Sequence, residues 1–235
     1  MLEPKLKLVL LPGLDGTGKL FKGLVEALSG SFETQVVSYP TNEITSYAQL
    51  AERLRSLFVD SEAVVLIAES YSSPLAIQLA ARNPPNLKGV VLCAGFVTGP
   101  AGALIRFASL LIAPLLFRIP FPSRVARFWL LGREADTVLV ESVQAAIASV
   151  NPRVLAFRVR DVLACDVRAE LGQVGVPLLY IQATRDCLVR SRSFEEIRRI
   201  SPQAEKAEIV GPHLILQQEP RSAAEIIGAF VRRLA

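Results

Sequence analysis

The chain has 235 residues, 51% of them apolar, with a mean hydropathy of +0.38 and a formal net charge of +4. One well-packed domain with an inserted subdomain fits that length, and the apolar fraction excludes a disordered chain. The basic residues are scattered rather than run together, which argues against a nucleic-acid partner, and Cys93, Cys165 and Cys187 lack metal-site spacing. An odd number of cysteines is also a poor disulfide framework, so a reducing, cytoplasmic compartment is expected, with no cofactor and no metal.

The first apolar run, 8–11, is too short for the core of a secretory signal and leads directly into a Pro-Gly loop. It lies in a strand pattern, LKLVLLP (6–12), followed by the loop PGLDGTG (12–18) and a helix pattern over 18–29. Further strand patterns, TQVVSYP (34–40), AVVLIAE (63–69) and LKGVVLC (87–93), alternate with helix patterns over 45–59 and 74–82. Continuous Val/Leu/Ile runs predict strands buried on both faces, as in a parallel sheet covered by helices.

The middle of the chain differs. From 96 to 172 no strand pattern appears, and helix-like stretches are punctuated by Pro100, Pro114, Pro120, Pro122 and Pro152. The greasiest stretch, ALIRFASLLIAPLLF (103–117), falls short of the roughly 20 residues of a membrane span and carries Arg106 and Pro114. It reads as a buried or interfacial helix, and membrane contact is not expected. The strand and helix alternation returns with VPLLYIQA (176–183), a helix near 191–200, AEKAEIV (204–210) and a last helix near 220–234. The expected fold is α/β, a mostly parallel central sheet flanked by helices, with 1–95 and 173–235 as its core and 96–172 as a helical cap insertion.

Two motifs carry chemistry. In the first loop Gly13, Gly18 and Lys19 fit the opening of a phosphate-binding G-x-x-x-x-G-K, but Leu20 stands where magnesium needs a hydroxyl. The third strand runs into Ala68-Glu69-Ser70-Tyr71-Ser72, a strand-to-helix turn of the nucleophile-elbow form G-x-S-x-G with both glycines replaced. Alanine and serine are the next-smallest residues where the two backbones pass closely, and Pro74 suits a first helical turn. The bland alternative makes Ser70 a helix cap.

In the fold family that carries such an elbow, the acid follows a late strand and a histidine precedes the last helix, in that chain order. Asp186 in TRDCLV and His213 in GPHLILQQEP occupy those places. His213 is the chain's one histidine and so its one side chain suited to act as neutral general base. Asp161 and Asp166 are alternative acids, but their surroundings look helical.

These segments, PGLDGTG (12–18), AESYSS (68–73), QATRDCLV (182–189) and GPHLILQQEP (211–220), resemble the α/β-hydrolase superfamily over nearly the whole chain. The first loop is similar to one in the phytyl ester synthase and diacylglycerol acyltransferase branch, and the compact, capped layout is similar to carboxylesterases and type II thioesterases. The departures are the missing elbow glycines and Pro12, where many members carry histidine.

The resemblance implies a serine hydrolase with Ser70, Asp186 and His213 catalytic and with Leu14 and Tyr71 supplying backbone N–H groups to an oxyanion hole. Its partner would be a small-molecule acyl ester. Phe96, Leu110, Phe117 and Trp129 are candidates for lining an acyl pocket within a stretch, 96–133, that holds five arginines and no acidic residue. Alternatives are an acyl-thioesterase or acyltransferase using the same triad, a nucleotide-binding protein, and an inactive hydrolase-fold binding module. On the first reading Lys19 faces solvent at a helix start.

Overall fold

The computed structural model describes residues 6–59, 62–99, 123–189 and 192–234. Leu110, Phe117 and the apolar stretch 103–117 lie outside the described residues. Six strands form one sheet in the order β2-β1-β3-β4-β5-β6, all parallel: β1 (Leu6–Leu11), β2 (Glu33–Val36), β3 (Ala63–Glu69), β4 (Leu87–Cys93), β5 (Leu178–Ala183) and β6 (Glu205–Ile209). A parallel sheet exposes two apolar faces, because successive side chains along a strand point to opposite sides.

Val9 and Leu11 of β1, with Leu66 and Ala68 of β3, pack on one face against helices α2 (Tyr47–Arg53), α3 (Ser73–Ala80) and α7 (Arg192–Ile200). Leu8, Leu10, Val65 and Ile67 point the other way, against α1 (Lys22–Leu28), α8 (Ile215–Gln218) and α9 (Pro220–Arg232). Three layers result, and the strands' C-terminal ends share one edge of the sheet.

Several elements are shorter than their sequence patterns. The helix expected over 18–29 begins as a 3₁₀ turn, Lys19–Phe21, and that expected over 45–59 ends as another, Leu54–Phe58. Ser46 caps α2 reciprocally with Gln49, which sets its start. The second strand leaves the sheet after Val36, where Tyr39 N–H bonds to the Gly16 carbonyl at 2.7 Å. Close approach of the first loop explains this: a Cβ on Gly18 would lie 2.5 Å from the Val36 side chain and 2.8 Å from the Val37 carbonyl.

Among the described residues of 96–172 the regular elements are helices, with one antiparallel bridge between Thr98 and Asp166. A π-helical turn, Ala126–Leu131, leads to α4 (Thr137–Ala148), α5 (Pro152–Ala164) and the short α6 (Arg168–Leu171). Asp136 and Asn151 cap α4 and α5 through the N–H groups of Val138 and Arg153, and Pro152 starts α5 at no hydrogen-bond cost. Asn151 N–H also bonds to the Thr41 carbonyl at 2.9 Å, tying the start of α5 to the core. Among the described residues, no helix is long and apolar enough to cross a membrane.

Candidate active site

β3 ends at Glu69, and the next residue turns sharply: Ser70 has φ +44°, the left-handed region that a non-glycine residue enters only under strain. The strain is held by the turn's neighbours. Tyr47 Oη donates to the Tyr71 carbonyl at 2.7 Å and its ring stacks on Tyr71 at 4.8 Å between centroids. Ser72, in the second missing glycine's place, is fully buried; its hydroxyl donates to the Pro12 carbonyl and meets Tyr39 Oη at 2.6 Å. The replacement thus fills the crossing with a hydroxyl that bridges the elbow to the first loop. Ala68 is equally buried within the strand.

Past β5, the Asp186 Oδ1 accepts from the N–H groups of Leu188 (2.7 Å) and Val189 (2.9 Å), which leaves Oδ2 aimed away from its own turn. His213 follows β6 and precedes α8. Its Nδ1 lies 2.7 Å from Asp186 Oδ2 and its Nε2 lies 2.9 Å from Ser70 Oγ. The His213 and Asp186 side chains are only 5% and 3% exposed, so these bonds sit where water screens little. With Nδ1–H donated to the carboxylate, Nε2 is left to accept the serine proton.

Neither alternative acid is placed to do this. Asp161 lies on α5, and Asp166 pairs with Arg168 at the surface, at 2.6 Å. Asp166 is not helical: it stands in the bridge with Thr98.

The first loop turns over the serine. Gly13 to Gly16 forms a tight turn closed by Gly16 N–H to the Gly13 carbonyl at 3.0 Å, with Gly16 at φ +69°. Leu14 and Tyr71 border the same cavity as Ser70. Lys19 is exposed, while Leu20 turns into that cavity, so the residue that spoiled the phosphate-loop motif is part of an apolar wall.

Beneath the turn lies the Glu69 carboxyl: a Cβ on Gly13 would come within 3.2 Å of its Oε2. Complete burial pushes the Glu69 pKa up to about 7, opposed most by Gln217, a little further raised by Asp15 and also opposed by His213.

The cavity has a volume of about 450 Å³. Its walls are almost wholly apolar: Val143 and Ile147 from α4, Leu155, Val159, Val162 and Leu163 from α5, and Leu130, Leu188, Val189 and Leu214 around them. Of the sequence candidates, Phe96 and Trp129 line it. The α4 and α5 residues were not anticipated, because a buried-face pattern in a helix does not say whether it meets a core or a cavity. Arg158 of α5 was also missed; it is fully buried and reaches the first loop. Among the described residues, no group of His, Cys, Asp and Glu is placed to hold a metal.

Residues 8–226 match the family model for the alpha/beta hydrolase family. No curated protein matches the chain at a significant level. Among solved structures, the chain is similar to a thermophilic esterase from Thermogutta terrifontis, with a TM-score of 0.83 and 19% identity, over 97% of this chain and 90% of that one. A hydrolase from Oleispira antarctica gives a TM-score of 0.83 at 12% identity, over 98% and 92% of the two chains. The enol-lactonase from Burkholderia xenovorans gives 0.82 at 17% identity, over 96% and 91%. At these identities the likeness is one of fold. The match over 8–226 is one of sequence, and by it the chain belongs to the alpha/beta hydrolase family.

Proposed function

We propose that the protein is a serine hydrolase that cleaves carboxylic esters of hydrophobic acyl groups through an acyl-enzyme on Ser70. The observation that carries this reading is the continuous hydrogen-bonded line from Ser70 Oγ through His213 to Asp186, 2.9 and 2.7 Å, opening into an apolar cavity.

In the first half-reaction Ser70 Oγ attacks the ester carbonyl while His213 Nε2 takes its proton. The tetrahedral oxyanion is met by the N–H groups of Leu14 and Tyr71, and its collapse expels the alcohol, which His213 protonates. In the second, His213 deprotonates water for attack on the acyl-enzyme, and Ser70 leaves with the returned proton. Asp186, fixed by two backbone N–H groups, holds the Nδ1–H tautomer and stabilises the imidazolium. The esterase and lactonase named above, both acting on acyl–oxygen bonds, favour an oxygen ester. Each buried methylene of an acyl chain contributes about 0.8 kcal/mol, so the apolar walls favour medium or longer chains.

A p-nitrophenyl ester series from acetate to palmitate on wild type and Ser70→Ala tests this. Wild type is expected to turn over the longer members best and Ser70→Ala to lose activity about 10⁵-fold or more. An inactive wild type, or an active Ser70→Ala, overturns the reading.

A further inference from the structure

Arg158 is a fully buried arginine with no carboxylate ion-paired to it among the described residues. Its Nη1 donates to the carbonyls of Leu14 (3.0 Å) and Asp15 (2.7 Å), and its Nη2 donates to that of Pro40 (2.9 Å). Its guanidinium carbon stands 5.7 Å from the Tyr39 ring centre and 5.8 Å from that of Tyr71, within the range of cation–π attraction. The carboxylate of Asp15, whose carbonyl Arg158 holds, is turned instead to Thr17, accepting from its N–H at 2.8 Å.

The Gly13 oxygen is taken by Gly16 N–H, those of Leu14 and Asp15 by Arg158, and that of Gly16 by Tyr39 N–H. The Glu69 carboxyl packs against Gly13, where a Cβ would lie 3.2 Å from its Oε2. Every carbonyl of the turn is thereby occupied, and the Leu14 N–H is left without an acceptor among the described residues.

A Cβ at Gly16 would lie 2.4 Å from Arg158 Nη1, and its φ of +69° independently favours glycine. Packing α5 on the core does not need a buried cation, since the helix already supplies Val154, Leu155 and Ala156, and taking a guanidinium out of water is costly.

We propose that Arg158 is a positioning residue of the oxyanion hole, through which α5 of the cap holds the Gly13–Gly16 turn and aims the Leu14 N–H at the oxygen that becomes negative over Ser70. This rests on the serine-hydrolase reading above. Arg158 touches both halves of the hole, one through the Leu14 carbonyl and the other through the Tyr71 ring. A preorganised donor acts only on charge that develops in the transition state, so its misplacement lowers kcat more than it raises KM.

The test compares wild type, Ser70→Ala, Arg158→Lys, Arg158→Ala and Gly16→Ala with p-nitrophenyl butyrate. Rates are normalised to sites titrated by a fluorophosphonate, and folding is followed by circular dichroism. Arg158→Ala is expected to lose about 10²–10³-fold in kcat with KM within about threefold, as for loss of one oxyanion donor. Arg158→Lys, which cannot span three carbonyls, falls between. Gly16→Ala strains the turn directly at φ +69° as well as crowding the guanidinium, so it is expected to lose at least as much; Arg158→Lys carries the test if Arg158→Ala does not fold.

An alkyl boronic acid, whose adduct with serine is tetrahedral and anionic, should lose affinity in step with kcat/KM, while a non-hydrolysable ketone-free ether analogue of the substrate keeps its affinity. Millimolar guanidinium should restore part of the activity of Arg158→Ala and none of that of Ser70→Ala. Folded Arg158 variants with wild-type kcat, or with boronate and ether affinity falling together, overturn the positioning role while leaving the hydrolase reading intact. A wild type with neither turnover nor labelling at Ser70 overturns both.

Discussion

The two halves of the candidate site are built differently. Ser70, Asp186 and His213 follow the C-terminal ends of β3, β5 and β6, so the order and register of the sheet bring them to one edge. The Gly13–Gly16 turn also follows a strand, yet its conformation depends on groups from elsewhere: Glu69 below, Ser72 behind and Arg158 from α5. Parallel strands place their ends reliably, because register is set by two buried faces at once. A glycine-rich turn has no such constraint and needs polar partners to choose one shape.

That contrast can be broken by substitution. The largest effect is expected within the sheet-built half: Asp186→Asn keeps the packing but favours the wrong histidine tautomer, lowering kcat by about 10⁴-fold. Steady-state kinetics beside an unchanged melting curve would check it; a loss below tenfold would show that Asp186 does not orient His213.

Glu69→Gln comes next and acts through stability. Below pH 4.5 both folded and unfolded chains carry a protonated Glu69. Between 4.5 and about 7 the unfolded chain releases the proton and the folded chain keeps it, so stability falls as pH rises through that window and levels off above it. Glutamine removes this dependence, and the gap between variant and wild type should grow with pH by up to about 3 kcal/mol, read from urea melts at pH 4 and pH 8. A gap that does not change with pH would place the Glu69 carboxyl in an ordinary range.

Ser72→Ala strips a buried hydroxyl from between the Pro12 carbonyl and Tyr39 Oη. It should destabilise the fold by about 1–3 kcal/mol, measured by denaturant melts. Smallest is Val159→Phe, which fills part of the cavity wall. The preferred acyl chain should shorten by about two carbons, with about tenfold lost on longer esters at about 0.8 kcal/mol per methylene. An unchanged chain-length profile would place the acyl group elsewhere.

Much of the fold was legible because continuous apolar runs have one stable use in a chain of this length. The strand patterns near 63–69 and 87–93 coincide with β3 and β4, and the elements most shortened, β2 and α2, lie at the sheet's edge or on its surface, where packing constrains ends least. The replaced elbow glycines looked like a defect in sequence. In the structure Ser72 fills the crossing with a hydroxyl that has two partners.

What the sequence determined by itself is the layered α/β fold and the chain order of serine, acid and histidine, because both rest on local pattern and on strand ends. What only the tertiary structure decided is how the first loop is held and what α4 and α5 face. Arg158 lies 144 positions from Leu14, and its neighbours in sequence give no sign that it leaves the helix surface for the loop carbonyls. Likewise Leu155 and Val159 carry the same apolar signal whether they meet a core or a cavity. The difference is the empty space opposite them, which depends on every element at once.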